Sequence, residues 1–256
     1  MTEPKFIEKT QEGRVLRITL NRREKRNALN VGLCHELVDT IERANTDRGI
    51  GAIVLHANGP IFCAGMDLKE AREADQTELA RIHERLFTTI QRVRTPVIAA
   101  VHGAALGGGT GLAANAHILY ATPDTRFGLT EIKLGLWPVM IFRAVQHAIG
   151  ERRTVELSLT GREFRAAEAL YYGLVSDVVE DPLKRAMETA HSLAGFSPLA
   201  VGCGLDYVHQ VRGRDWDHAG RVGREIRDRL IASEDFKEGS TAFLEKREPV
   251  WPSLKS

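Results

Sequence analysis

The chain has little cysteine, no long apolar run and almost no net charge, and each shortage narrows what it can be. Cys34, Cys63 and Cys203 are the three cysteines in 256 residues, widely spaced and outside any CxxC pattern. That argues against a disulfide framework and a structural zinc site, and places the chain in a reducing cytoplasm. No stretch approaches the ~18 apolar residues needed to span a bilayer, and Met1-Thr2-Glu3-Pro4-Lys5 lacks the apolar core of a signal peptide, so a soluble protein with no membrane partner is expected. Lysine and arginine total 35 against 34 acidic residues, which leaves no global field to draw the chain onto nucleic acid. Any anionic ligand must be met locally. The nine histidines show no HExxH pairing, and no GxSxG elbow is present, so neither a metal site nor a serine hydrolase is expected.

What is present is an alternation of strand-like and helical patterns. Phe6-Ile7-Glu8 and Val15–Leu20 read as a hairpin about the Gln11-Glu12-Gly13 turn. Val31–Ala44 and Leu79–Val93 have helical spacing, and Gly51–His56, Pro96–Val101, His117–Ala121 and Val175–Val179 read as buried strands. Strand, helix, strand repetition implies parallel pairing with crossover helices, an α/β architecture. After Asp181 the pattern is almost wholly helical, with helices expected over Arg212–Ala232 and Asp235–Lys246. We take residues 1–195 as the core and 196–256 as a helical region that packs on the core or on a neighbouring subunit.

Two glycine-rich segments carry the chemistry. Phe62-Cys63-Ala64-Gly65-Met66-Asp67-Leu68 and Gly103-Ala104-Ala105-Leu106-Gly107-Gly108-Gly109 each follow a short apolar run. Each alone reads as a tight strand-to-helix turn. Together they can aim the backbone N–H groups of Met66 and Gly108 at one point, the second reinforced by the helix start at Thr110-Gly111-Leu112. That is the geometry of an oxyanion hole, in which losing one donor costs about 2.7–4 kcal/mol of barrier lowering. Gly103 to Gly108 fits neither a dinucleotide fingerprint nor a P-loop. Glu131, in the apolar company of Phe127-Gly128-Leu129-Thr130, is a general acid or base if buried; it also reads as a dipole-complementing residue in a first helical turn, with Thr130 as its cap. Asp67 reads as the cap of the helix that follows it.

The order Leu20-Asn21-Arg22, Asn27-Ala28-Leu29-Asn30, Phe62–Leu68, Gly107-Gly108-Gly109, Phe127-Gly128 to Glu131, Leu159-Thr160-Gly161, Ala167-Glu168-Ala169 and Gly173-Leu174-Val175 resembles the enoyl-CoA hydratase/isomerase family, the crotonases. The resemblance extends to Glu238-Gly239 and Ala242–Arg247, and so covers nearly the whole chain. It implies a crotonase-like spiral of β-β-α units with a C-terminal α-helical region, assembled as a homotrimer or a dimer of trimers. It further implies an acyl-CoA substrate with no separate cofactor, its thioester carbonyl gripped by Met66 and Gly108. By the same resemblance, Lys25, Arg26, Ala28, Ala64, Asp67 and Leu68 line the adenine and pantetheine path, and Phe243 and Lys246 complete the CoA pocket, in this subunit or an adjacent one. Lys25 and Arg26 suit CoA phosphates on physical grounds; the alternative is a solvated loop charge run.

Two departures separate this chain from the family's hydratases. Those carry a second glutamate where this chain has Gly111, which leaves Glu131 alone. A single base that takes a proton from one carbon and returns it to another suffices to shift a double bond, whereas adding water is easiest with two groups. Bulky Leu136-Trp137-Pro138-Val139-Met140-Ile141-Phe142 also stands where many hydratases have a glycine-rich run; Trp137 there is either a wall of the acyl pocket or core packing. The expected activity is therefore proton transfer on an acyl-CoA by Glu131, favouring double-bond isomerisation. The alternatives are a hydratase using Glu131 alone and a non-catalytic acyl-CoA-binding or RNA-associated member.

Overall fold

The computed structural model describes residues 6–254. β1 (Ile7–Glu12) and β2 (Val15–Leu20) form the opening antiparallel hairpin. Glu12 pairs with Val15, so the turn is tighter than expected and rests on Gly13 at φ +59°. β2 then pairs in parallel with β3 (Ala52–Ala57), β3 with β4 (Val97–Val101), β4 with β6 (Ile118–Ala121) and β6 with β9 (Asp177–Val178). A second, three-stranded sheet joins β5 (Ala104–Leu106), β7 (Arg126–Gly128) and β8 (Glu163–Arg165) in that order, the first pair parallel and the second antiparallel. Of the expected strand Val175–Val179, only Asp177 and Val178 pair.

The large sheet is buried on both faces, which is why its central strands read as continuous apolar runs rather than alternating ones. Ile53, Leu55, Val97, Ala99 and Val101 belong to the main core. Their neighbours Ala52, Val54, Ile98 and Ala100 point the other way, as a two-residue period requires, into a second cluster. α1 (Val31–Thr46), started by the Asn30 side chain accepting from Leu33 N–H, contributes Leu33, Leu37, Val38 and Ile41 to the main core. α8 (Pro182–Ala194) covers the opposite face with Ala186, Ala190 and Ala194, small residues four apart that let its backbone approach the sheet.

α2 (Leu68–Glu73) and α3 (Gln76–Thr89) lie between β3 and β4. α3 begins three residues before the expected Leu79, because Asp75 accepts from Thr77 and Glu78 N–H. α4 (Gly108–Asn115), α5 (Val139–Ile149), α6 (Glu151–Thr160) and α7 (Ala166–Tyr172) occupy the middle of the chain. α9 (Pro198–Val211), α10 (Trp216–Ile231) and α11 (Glu234–Glu245) form the helical C-terminal region. The helix expected from Arg212 starts at Trp216 instead. Gly213 at φ +73° breaks the chain, and Asp215 caps α10 through His218 N–H. Among the described residues no helix is long and apolar enough to cross a membrane.

Candidate active site

The two glycine segments meet in space. Phe62 N–H donates to His102 O at 3.0 Å, Cys63 N–H to Ala104 O at 3.1 Å, and Leu106 N–H to Cys63 O at 3.0 Å. The approach to Gly65 is therefore an irregular segment bridged to β5 at Cys63 and Ala105. Gly65 sits at φ +91°, and a Cβ there would lie 2.7 Å from Leu106 O and 3.3 Å from Gly108 N. Both the conformation and the space demand glycine. Leu29 N–H donates to Gly65 O at 2.7 Å and Asp67 N–H to Leu29 O at 3.0 Å. These two bonds fix the peptides on either side of Met66, whose own N–H has no acceptor among the described residues. Gly108 N–H is in the same position at the first turn of α4, where the helix dipole adds to its pull on an anion.

Glu131 is brought to this point by a staple between α4 and β7. Gly107 N–H donates to Gly128 O at 2.8 Å, and the Thr110 hydroxyl, wholly buried, donates to Ala105 O at 2.6 Å and accepts from Gly128 N–H at 3.1 Å. Two residues beyond Gly128 the chain enters a 3-10 turn, Thr130–Leu134. Thr130 does not cap it: the turn starts from Leu129 with no side-chain hydrogen bond. Gly107, at φ +52°, leaves room for the carboxylate, since a Cβ there would lie 3.1 Å from Glu131 Oε1. Glu131 Oε2 is buried and has no hydrogen-bond partner among the described residues. Burial pushes its pKa above the ordinary carboxylate value, opposed by its own backbone N–H.

A cavity of about 180 Å³ joins these groups; Leu29, Met66, His83, Phe87, Gly108, Glu131 and Leu136–Ile141 line it. Met66, Gly108, Glu131 and Trp137 thus come together as a cluster. Trp137 also stacks on Phe142 at 6.1 Å, so it is both a wall and a packed ring. Gly111 does not reach the cavity: it is buried, and a Cβ on it would overlap Ile141 Cβ and Cγ2. Ile141 lines the cavity in its place.

Sequence reasoning passed over His83. Its position among Leu79, Ile82, Leu86 and Phe87 on the buried face of α3 is the signal that was available, an imidazole where the helical period calls for an apolar side chain. Three buried side-chain polar atoms lack a hydrogen-bond partner among the described residues, and two of them, His83 Nε2 and Glu131 Oε2, belong to this one cavity. Buried polar atoms are normally paired, so two orphans on residues that line one cavity point to a polar ligand there. Burial lowers the His83 pKa, favouring the neutral ring.

Residues 22–29 run beside this site. Ala64 N–H donates to Arg26 O at 3.0 Å, and Ala28 O accepts from Arg22 Nη1 at 3.1 Å. Lys25 and Arg26 are exposed and form no ion pair among the described residues. Asp67 is already engaged: it caps α2 through Lys69 and Glu70 N–H and pairs with Arg22 at 2.6 Å. Leu68 is exposed beside it. Phe243 and Lys246 lie at the exposed end of α11, and neither lines the cavity. Among the described residues no group of three or more His, Cys, Asp or Glu is placed to hold a metal ion.

The profile of the enoyl-CoA hydratase/isomerase family matches residues 10–254. The chain belongs to that family. It is 38% identical, over 95% of its length and 96% of the relative's, to a probable enoyl-CoA hydratase of Mycobacterium bovis. A probable mitochondrial enoyl-CoA hydratase of Dictyostelium discoideum is 35% identical, over 94% of this chain and 88% of its own. The crystal structure of an enoyl-CoA hydratase from Bacillus anthracis superposes with a TM-score of 0.91 at 30% identity, covering 96% of this chain and 99% of that one. The two sheets and the helical C-terminal region are therefore the crotonase fold, and the chain is an enzyme of the crotonase superfamily.

Proposed function

We propose that the protein moves a carbon–carbon double bond within an acyl-CoA thioester, with Glu131 as the single proton carrier. The thioester oxygen sits between Met66 N–H and Gly108 N–H. Glu131 takes a proton from C2 of a 3-enoyl-CoA, and the electron pair spreads onto the thioester oxygen as a dienolate held by the two donors. The protonated Glu131 then returns the proton at C4, the double bond comes to rest between C2 and C3, and no atom is gained or lost. Desolvation suits the carboxylate to this work, because a raised pKa brings it closer to that of the carbon acid it must deprotonate.

The observation that carries this reading is the packing of Ile141 onto Gly111. It leaves Glu131 as the one carboxylate lining the cavity among the described residues. Lys25 and Arg26, exposed and unpaired beside Ala64, are the cations we assign to the CoA phosphates. The exposed Tyr171, Trp216, Phe243 and Leu244 support self-association, with the end of α11 reaching a neighbouring subunit's CoA.

Hydration is the second reading. The names of the relatives favour it, and so does His83, a neutral imidazole that can hold a water in the same cavity. Supplying conjugated and unconjugated enoyl-CoA in parallel tests the two. Turnover of the unconjugated isomer without loss of the conjugated thioester absorbance supports isomerisation; loss of that absorbance at a comparable rate overturns it.

A further inference from the structure

The acyl cavity borders two different surroundings. Leu29 and Met66 connect it to the Arg22–Leu29 segment. Phe87 and Met140 form a wall shared with a second cavity of about 630 Å³. Arg92, Arg143, Arg212, Arg214, His147 and His218 all line this second space, and among the described residues no aspartate or glutamate does. On a chain whose charges nearly cancel, this is a concentration of one sign at one place. None of the four arginines makes an ion pair among the described residues, although arginines elsewhere in the protein do.

One of these cations, Arg212, is held in place by a chain of hydrogen bonds. Arg212 donates to Gln91 Oε1, and Gln91 Nε2 donates at 3.1 Å to both the backbone and the side-chain oxygen of Asn115. Asn115 is buried at the last residue of α4 and donates at 3.0 Å to Gly111 O. The helix whose first residue is Gly108 thus anchors Arg212 at its other end. α5 makes the same link on the opposite side: Ile141 and Met140 wall the acyl cavity, and Arg143 and His147, further along the helix, enter the cationic one. Crowding of like charge is visible in the ionisation of the group. Burial and then Arg143 lower the Arg212 pKa, while burial, Arg212 and Arg143 lower that of His147. A bound anion relieves this repulsion.

We propose that the second cavity binds a carboxylate at the far end of the acyl group, so that the preferred substrates are acyl-CoA thioesters of dicarboxylic acids. The chain of such a substrate runs from the Met66 and Gly108 donors past Phe87 and Met140, and its terminal carboxylate takes the guanidinium groups of Arg143 and Arg212, which present paired donors to it. This assignment rests on the acyl-CoA reading of the neighbouring site and specifies its substrate.

The test is a matched series of enoyl-CoA substrates that differ in one feature, a carboxylate or a methyl group at the chain end. Each is assayed for isomerisation and hydration with the wild-type protein and with Arg143→Gln and Arg212→Gln. The wild type is expected to favour the carboxylate member in kcat/KM by roughly tenfold or more, and each variant to pull that ratio toward one. A wild-type ratio near one, with the methyl member turned over, overturns the dicarboxylate assignment and leaves the acyl-CoA reading standing. Failure to turn over either member by either reaction overturns both.

Discussion

Ile141 occupies the space that any side chain at Gly111 would need: a Cβ added there would overlap Ile141 Cβ and Cγ2. The absence of a second carboxylate is thus built into the packing of α4 against α5. Gly111→Glu alone is expected to lose about 1–3 kcal/mol of stability through overpacking and to gain no hydratase activity. Gly111→Glu combined with Ile141→Ala opens the space, and conjugated enoyl-CoA hydration is expected to rise above that of the parent. Thermal melts and the loss of conjugated thioester absorbance measure the two effects.

Glu131 is held at a cost. Burial raises its folded-state pKa above the unfolded value. Its contribution to stability is therefore fully present below the unfolded pKa and is lost as pH rises through the folded one. At neutral pH the ionised carboxylate destabilises the fold, so Glu131→Gln is expected to raise Tm there and to lose that advantage in acid. Each kcal/mol relieved is worth about 2–4 °C in a chain of this size. The same substitution is expected to lower kcat by about 10²–10⁴-fold. In the parent, kcat/KM should climb with pH through that raised pKa, which a pH–rate profile reads directly.

Gly107 shapes the carboxylate's seat, with φ +52° and only 3.1 Å between a would-be Cβ and Glu131 Oε1. Gly107→Ala is expected to push the carboxylate aside, lowering kcat by about 10²-fold with a smaller change in KM. Steady-state kinetics separates the two parameters, and an equal rise in KM would point to damage of the thioester grip instead.

His83→Leu removes a buried nitrogen that has no hydrogen-bond partner among the described residues. Relief of that desolvation is expected to stabilise the protein, by about 1–3 kcal/mol if the whole penalty is recovered. The water that the imidazole can hold is lost with it. Any hydration side reaction is therefore expected to fall further than isomerisation does, as the ratio of products from one substrate pool will show.

How much of this was legible in the sequence follows from what each feature depends on. α1 and the central strands were read to within a residue or two because their apolar spacing is the cause of their burial. The glycine segments and Glu131 were legible because only glycine tolerates Gly65's φ and close approach, and because the order of these residues resembles a known family. Helix starts were missed where one capping residue decides, as Asp75 does for α3 and Asp215 for α10. Ile141 over Gly111, His83 in the acyl cavity and the Arg212–Gln91–Asn115 chain depend on side chains far apart in sequence, and no local pattern encodes them.

One comparison tests the single-carboxylate mechanism most directly: transfer of deuterium from solvent during turnover of a 3-enoyl-CoA, run with the parent and with Glu131→Gln. The parent should yield the conjugated 2-enoyl-CoA with part of the hydrogen removed from C2 delivered to C4 without exchange, because one carboxylate carries the proton between carbons, and Glu131→Gln should yield almost none. Undiminished product from Glu131→Gln, or a 3-hydroxyacyl-CoA as the main product of the parent, would contradict it.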